Sequence, residues 1–206
     1  MSTDGEPPEE RAFDYARTVA LSDGVFAIGL TLLVLNITVP VLGTGHHDQL
    51  GSRLLGDRSQ FESYALSFAI IALLWVRHHT LFRGLDRIDG KLTALNLAYL
   101  AFIAFLPYPT RVLGQYSSET AAAVLYAVTL LCLTGIAALT RVHATRARLL
   151  SEDGRRELAR REHWALGPLI LLASIPIAFL SPAAAEYVWL LLLVPVTRVP
   201  HHLGRR

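Results

Sequence analysis

Polar residues that can share hydrogen bonds or exchange protons stand near the ends of three apolar segments in this 206-residue chain. Ser22 and Asp23 lie just inside the start of the first segment, and His78 and His79 lie near the end of the second. Asn96 follows near the start of the third. An ionisable side chain at such a position is costly in a membrane and usually has both a partner and a function. The chemistry open to this set is hydrogen bonding, proton transfer or acid–base catalysis.

These five residues and Trp75 are predicted to share one depth, counted from the segment ends: Ser22, Asp23, Trp75, His78, His79 and Asn96. A carboxylate, an imidazole and an amide at one depth can satisfy one another where water is scarce. The set could therefore be a structural polar network that latches the first three helices together. It could alternatively sense or gate protons, because histidine titrates near neutral pH. Acid–base catalysis is the third interpretation.

The first segment also carries an apolar stripe. Its members follow at helical spacing and project within about 100° of one another: Ile28, Thr31, Leu32 and Leu35. By spacing alone, such a stripe usually faces lipid or a neighbouring helix, and lining a pore is the alternative. Asp23 lies about 140° from Ile28 around the helix axis, so we expect it to point toward neighbouring helices. Arg17 falls nearly on the meridian of Ile28, so we expect it at the cytoplasmic mouth or folded sideways to pair with Asp23.

The composition indicates an all-α membrane protein with several spans. The chain is 52% hydrophobic and 17% charged, with a mean hydropathy of +0.40, and its apolar segments are long enough to cross a bilayer. We predict a disordered acidic tail at 1–16, a six-helix transmembrane domain at 17–200 and a basic tail at 201–206. The predicted spans are 18–39, 61–82, 92–113, 121–142, 164–180 and 183–199.

The positive charges predict the orientation. Sixteen of the 19 lysines and arginines fall in the N-terminus, the C-terminus and alternate loops, which places both termini in the cytoplasm. The arginine run from Arg141 to Arg161 is expected to meet the headgroups of anionic membrane lipids. No motif for nucleic-acid binding or for a cofactor is evident.

Three motifs resemble one family. The start of the first segment, R-x-x-x-L-S-D from Arg17 to Asp23, resembles the R-x-x-x-F-S-D signature of the transmembrane protein 175 family of potassium channels. The end of the second, W-V-R-H-H-T-L-F, resembles the family's W-x-x-H-H-x-L-F pattern. In the third, Asn96 followed by F-L-P-Y-P-T resembles its Asn and Leu-Pro-aromatic-Pro pattern. Leu21 replaces the Phe of the first motif.

The resemblance implies a prokaryotic potassium channel of the plasma (inner) membrane, built as a homotetramer of six-helix subunits around a central pore lined by the first helix. The family's constrictions correspond to Ile28, Leu32 and Leu35, and Thr31 corresponds to a position tied to ion preference in some prokaryotic members. Potassium would be the permeant ion and no cofactor is expected. Because the chain has no T-V-G-Y-G loop, ions would pass apolar constrictions partly hydrated, and we expect modest selectivity.

Two other functions remain open. A proton-linked secondary transporter could use Asp23, His78 and His79, although no second copy of the Ser-Asp pair suggests an inverted repeat. An intramembrane enzyme could use Ser22, Asp23 and a histidine, but adjacent helical residues diverge by about 100°, which makes a shared base awkward. We therefore expect no enzymatic activity.

Overall fold

The computed structural model describes residues 8–40, 51, 56, 58–160 and 166–192. Almost all of these residues are helical. The helices are α1 (Pro8–Leu32), continued by a 3₁₀ turn (Leu33–Asn36), α2 (Arg58–Arg83), α3 (Gly90–Phe105), α4 (Pro107–Gln115), α5 (Thr120–Arg146), α6 (Glu152–Arg160), α7 (Leu166–Leu180) and α8 (Pro182–Leu190).

Four continuous helical stretches are long and apolar enough to cross a membrane: Phe13–Asn36, Arg58–Arg83, Gly90–Gln115 and Thr120–Arg146. The third combines α3 and α4, which meet where Pro107 cannot donate a backbone hydrogen bond to the preceding turn. A shorter apolar helix follows at Gly167–Leu180. The fold is thus an all-α membrane fold with four candidate spans in the described residues. Residues 193–199 of the sixth predicted span, and the tail at 201–206, lie outside them.

The first helix begins earlier than expected. We expected residues 1–16 to be a disordered tail, but α1 begins at Pro8, while residues 1–7 lie outside the described part. Proline is tolerated at a helix start because its missing N–H would have no partner there. The extension is also anchored, since the Tyr15 hydroxyl donates to the Phe82 carbonyl at 3.0 Å. Tyr15 packs there against a buried cluster that includes Leu81 and Phe82.

The main core lies where α2, α3, α4, α5, α7 and α8 pack together, and α1 lies against α2 and α3. A smaller core joins the ends of α2 and α5 to the start of α3. In the most apolar part of each span, 22% of the α1 residues are buried, against 39% to 44% in the other three spans. The helix that carries the predicted stripe is therefore the least enclosed of the four candidate spans in the described residues.

Asp89 fixes the junction between α2 and α3. It caps α3 by accepting from the Leu92 N–H at 2.7 Å, and it lies 2.8 Å from Nε2 of His143 on α5. Burial raises the pKa of the Asp89 carboxyl, but these two bonds and the nearby charges of His143 and Lys91 outweigh it and hold the pKa below its ordinary value. The bonded carboxylate therefore ties the start of α3 to α5 at this end of the bundle.

Candidate functional site

The first helix has a buried face that packs on α2 and α3. Its members are Ser22, Phe26, Gly29 and Leu33, at helical spacing. At Gly29 a Cβ atom would lie 3.4 Å from the Ile103 side chain, so α1 and α3 are close together at this point. These residues determine which way α1 turns within the subunit.

The predicted stripe lies on the exposed face of the same helix. Ile28, Leu32 and Leu35 are 59%, 40% and 71% exposed. Thr31 is exposed between them, and its hydroxyl donates to the Ile28 carbonyl at 2.9 Å. Leu35 lies in the 3₁₀ turn that begins at Leu33, so the helix is tighter there than the α-helical spacing assumed from sequence.

A buried chain of hydrogen bonds connects α1, α3 and α2. The Ser22 hydroxyl donates to the Thr18 carbonyl at 2.8 Å and accepts from Nδ2 of Asn96 at 3.0 Å. Oδ1 of Asn96 lies 2.8 Å from Nε2 of His78. Because an amide oxygen only accepts, this order requires His78 to carry its proton on Nε2. Among the residues that the structure describes, Ser22 has no bond to a histidine, as an activated nucleophile would need.

Aromatic rings enclose the His78 imidazole. Phe82 and Tyr99 stack on it with centroid distances of 4.2 Å and 5.6 Å, and Phe26 of α1 is tilted against it at 5.5 Å. Phe82 follows His78 by four residues, so the two rings stack along one face of α2. The sequence predicted none of these three rings as part of the polar layer, although Phe82 ends the second motif.

Asp23 and His79 form a second, less buried arrangement. Nε1 of Trp75 donates to Oδ1 of Asp23 at 2.9 Å, and the Trp75 ring stacks on His79 at 5.5 Å. The structure therefore divides the predicted polar layer into two sets of contacts. Arg17 belongs to neither, since its guanidinium lies 5.5 Å from the Phe13 ring and forms no ion pair with Asp23 in the described part of the chain.

A cavity of about 70 Å³ adjoins the buried chain between α2, α3 and α5. Its polar lining includes Arg77, His78, Asn96, Thr140 and Arg141, and it has room for water. Within the described ranges, no three His, Cys, Asp or Glu side chains converge as the ligands of a metal ion would.

The other end of α1 is held by amide side chains that sequence reasoning missed. Nδ2 of Asn36 donates to the Pro107 carbonyl at 2.7 Å. Oε1 of Gln60 accepts from the N–H and the hydroxyl of Thr38 at 2.8 Å and 2.9 Å. The signal available in the sequence was the pair of polar residues, Asn36 and Thr38, that interrupts the end of the apolar run.

Comparison with known proteins identifies the relatives. Residues 17–107 match the family model described as endosomal/lysosomal potassium channel TMEM175. A potassium channel of Streptomyces collinus is 35% identical over 173 residues, covering 80% of this chain and 82% of that protein. A potassium channel of Chamaesiphon minutus is 34% identical over 182 residues, covering 85% and 89%.

A solved structure resembles the whole arrangement. The crystal structure of a homologue of the lysosomal potassium-selective channel TMEM175 from Chamaesiphon minutus superposes with a TM-score of 0.80 at 30% identity. It covers 89% of this chain and 96% of that chain. The likeness therefore extends well past the three motifs in the first half.

Proposed function

The chain belongs to the TMEM175 family, and from this premise we propose that it is a potassium-permeable channel that assembles as a homotetramer. Four copies of α1 surround the pore in this proposal, because one helix per subunit cannot enclose a path for ions. The potassium channels of Streptomyces collinus and Chamaesiphon minutus support potassium as the permeant ion, since both match most of this chain.

The observation that carries the proposal is the exposure of the α1 stripe. The buried face of α1 is occupied by α2 and α3, so Ile28, Leu32 and Leu35 are left open to a partner outside the subunit. A symmetry axis beside this face would bring four copies of each side chain into a ring. The rings would gate and select by excluding water and part of an ion's hydration shell.

The membrane placement follows from the charges. In this proposal the chain has six spans, with α7 and α8 contributing to the last two, and the charge distribution supports having both termini on the cytoplasmic side of a prokaryotic plasma membrane. The polar layer around Asn96 then lies near the cytoplasmic leaflet and the Asn36 contact lies near the other surface. The groups that hold α1 to the rest of the subunit thus stand at both ends of its pore-lining part.

The polar layer acts as a structural latch in this proposal. Asn96 holds His78 and Ser22, whereas Trp75 holds Asp23. A proton-linked transporter would need Asp23 and His78 to exchange protons, but each has a different hydrogen-bond partner. This separation favours the latch over a proton relay.

Substituting the stripe tests the pore directly. Ile28→Asn and Leu35→Asn each place an amide on the proposed constriction, and we expect either change to alter the sodium-to-potassium permeability ratio while assembly is retained. Reversal potentials under bi-ionic conditions, recorded from protein reconstituted in bilayers, measure this ratio. Leu169→Asn is the matched control, because Leu169 on α7 is 59% exposed, as Ile28 is.

Two results would contradict the proposal. Unchanged reversal potentials in both stripe variants would move the stripe away from the ion path and toward lipid. A purified protein that stays monomeric in bilayers and passes no potassium current would exclude the channel altogether.

A further inference from the structure

A basic groove lies between the end of α5 and α6, away from the proposed pore face. Arg146 and Arg155 line it together with Arg141, and its apolar wall includes Val142, Leu150 and Leu158. The groove measures about 550 Å³, enough for a small polar headgroup. It combines cationic donors with an apolar surface, which is the combination that an amphipathic anion requires.

Backbone contacts hold the groove in shape. Between α5 and α6 the chain turns at Arg148, whose φ is 54°, and Leu149 and Leu150 enter the smaller core. The helix α6 then lies against the end of α2, where a Cβ atom on Gly154 would collide with the backbone of Gly84. The N–H of Ser151 donates to the Gly84 carbonyl at 2.9 Å. Both walls are therefore fixed by the fold.

An exposed apolar stripe runs along α5 and ends at the groove. Its members lie within about 40° of one line along the helix surface: Val128, Leu139, Val142 and Arg146. The first three are exposed apolar side chains. Gly135 lies on the same line and has nothing within 4 Å of its Cβ position. From Val128 to Val142 the stripe spans about 21 Å, more than the roughly 15 Å of one leaflet's hydrocarbon.

We propose that this groove binds the phosphate headgroup of an anionic glycerophospholipid, with an acyl chain lying along the α5 stripe. The guanidinium groups of Arg146 and Arg155 suit a phosphate, since arginine presents several donors in one plane. Glu152 competes for Arg155 from 3.9 Å, and the pair is exposed, so it contributes little. The site depends on α5 crossing the membrane, and not on ion conduction.

Lipid binding to the purified full-length protein tests the site. Native mass spectrometry in detergent would compare phosphatidylglycerol, which is anionic, with phosphatidylcholine, which is zwitterionic. We expect the double variant Arg146→Gln with Arg155→Gln to bind phosphatidylglycerol roughly 25-fold more weakly, at about fivefold per arginine. The matched control, Arg58→Gln with Arg111→Gln, removes two arginines from the other end of the bundle and should bind normally.

Further measurements distinguish binding of a phospholipid from binding of free inorganic phosphate. An excess of inorganic phosphate should leave the lipid bound, because it cannot use the α5 stripe, and Leu139→Asn should weaken phosphatidylglycerol binding. Displacement by inorganic phosphate, equal binding of phosphatidylcholine, or unchanged binding by the double variant would each overturn the proposal. Potassium current in vesicles of phosphatidylcholine alone is measured in parallel, so that a failed lipid site and a failed channel are distinguishable.

Discussion

The two faces of α1 differ in nearly every physical respect. On the buried face, Phe26 is 1% exposed and packs on the His78 and Tyr99 rings, and Ser22 closes a hydrogen-bonded chain. On the opposite face, Ile28 and Leu35 touch little within the subunit and are more than half exposed.

This difference separates folding from function on a single helix. Residues on the buried face orient α1, so changing them should cost stability. Residues on the exposed face contribute little to the fold of one subunit, and we infer that they act between subunits. The variants below are ordered by their expected effect on the stability of the protein, and each tests whether the two faces are as independent as the geometry indicates.

Phe26→Ala should have the largest effect. Removing a buried aromatic side chain leaves a cavity against His78 and Tyr99, and such changes cost about 3–5 kcal/mol in cores. Ile28→Ala, two residues away on the exposed face, should change stability by less than about 0.5 kcal/mol. Thermal unfolding followed by size-exclusion chromatography in detergent compares the two variants with the parent chain. Equal losses of stability would mean that the exposed face is also enclosed, by a contact between subunits that resists detergent.

Asn96→Ala should have the second largest effect. The change leaves Ser22 and His78 without their bonds to the amide, and hydrogen bonds between membrane helices contribute about 1–2 kcal/mol at most. Ser22→Ala removes only one of the two bonds to Asn96 and should cost less. The same unfolding assay measures both variants, and their potassium-to-sodium permeability ratio should equal that of the parent chain. A stable Asn96→Ala protein with altered selectivity would place the polar layer in the ion path.

Much of this arrangement could be predicted from the sequence, and the limits have physical causes. Apolar run length predicts the four long spans, because crossing hydrocarbon demands a minimum helix length. The depth at which Ser22, His78 and Asn96 would meet also follows from counting residues along helices. Counting does not predict which side chains form hydrogen bonds at that depth, because those bonds depend on how each helix is rotated about its axis.

Rotation explains why the predicted polar layer divides into two sets. His78 and His79 are adjacent, so their side chains diverge by about 100°, and only His78 reaches Asn96. The 3₁₀ turn at Leu33 and the helical start at Pro8 were also beyond pattern reasoning. The turn ends at Asn36, whose side chain bonds the Pro107 carbonyl far along the chain, and the early part of α1 is held by the bond from Tyr15 to Phe82.

Asp23→Ala tests the boundary between the two faces. Asp23 is half-buried and bonds Trp75, which is itself partly exposed, so we expect a loss of about 1 kcal/mol, seen as lower yield or weaker assembly. Trp75→Phe removes the same bond from the other side and should cost a similar amount. The double variant should then lose little more than either single one, as coupled partners do. Additive losses would show that Asp23 has another partner, and altered selectivity would place it on the pore face.

Thr31→Val should have the smallest effect on stability and is the most specific test of the exposed face. Valine keeps the shape of the side chain but loses the hydroxyl, which within the described part of the chain bonds the Ile28 carbonyl of its own helix and no other group. Stability should therefore change by less than about 0.5 kcal/mol, with assembly retained. If the stripe lines the pore, the lone pairs of that hydroxyl face passing ions, and losing them should shift the potassium-to-sodium permeability ratio by about twofold, the equivalent of a fraction of one hydrogen bond.

Thr31→Ser keeps the hydroxyl and should retain the parent ratio, which separates the chemistry of the oxygen from the size of the side chain. Equal ratios for valine, serine and threonine would mean that ions pass Thr31 without contact, and selection would then belong to the apolar rings alone.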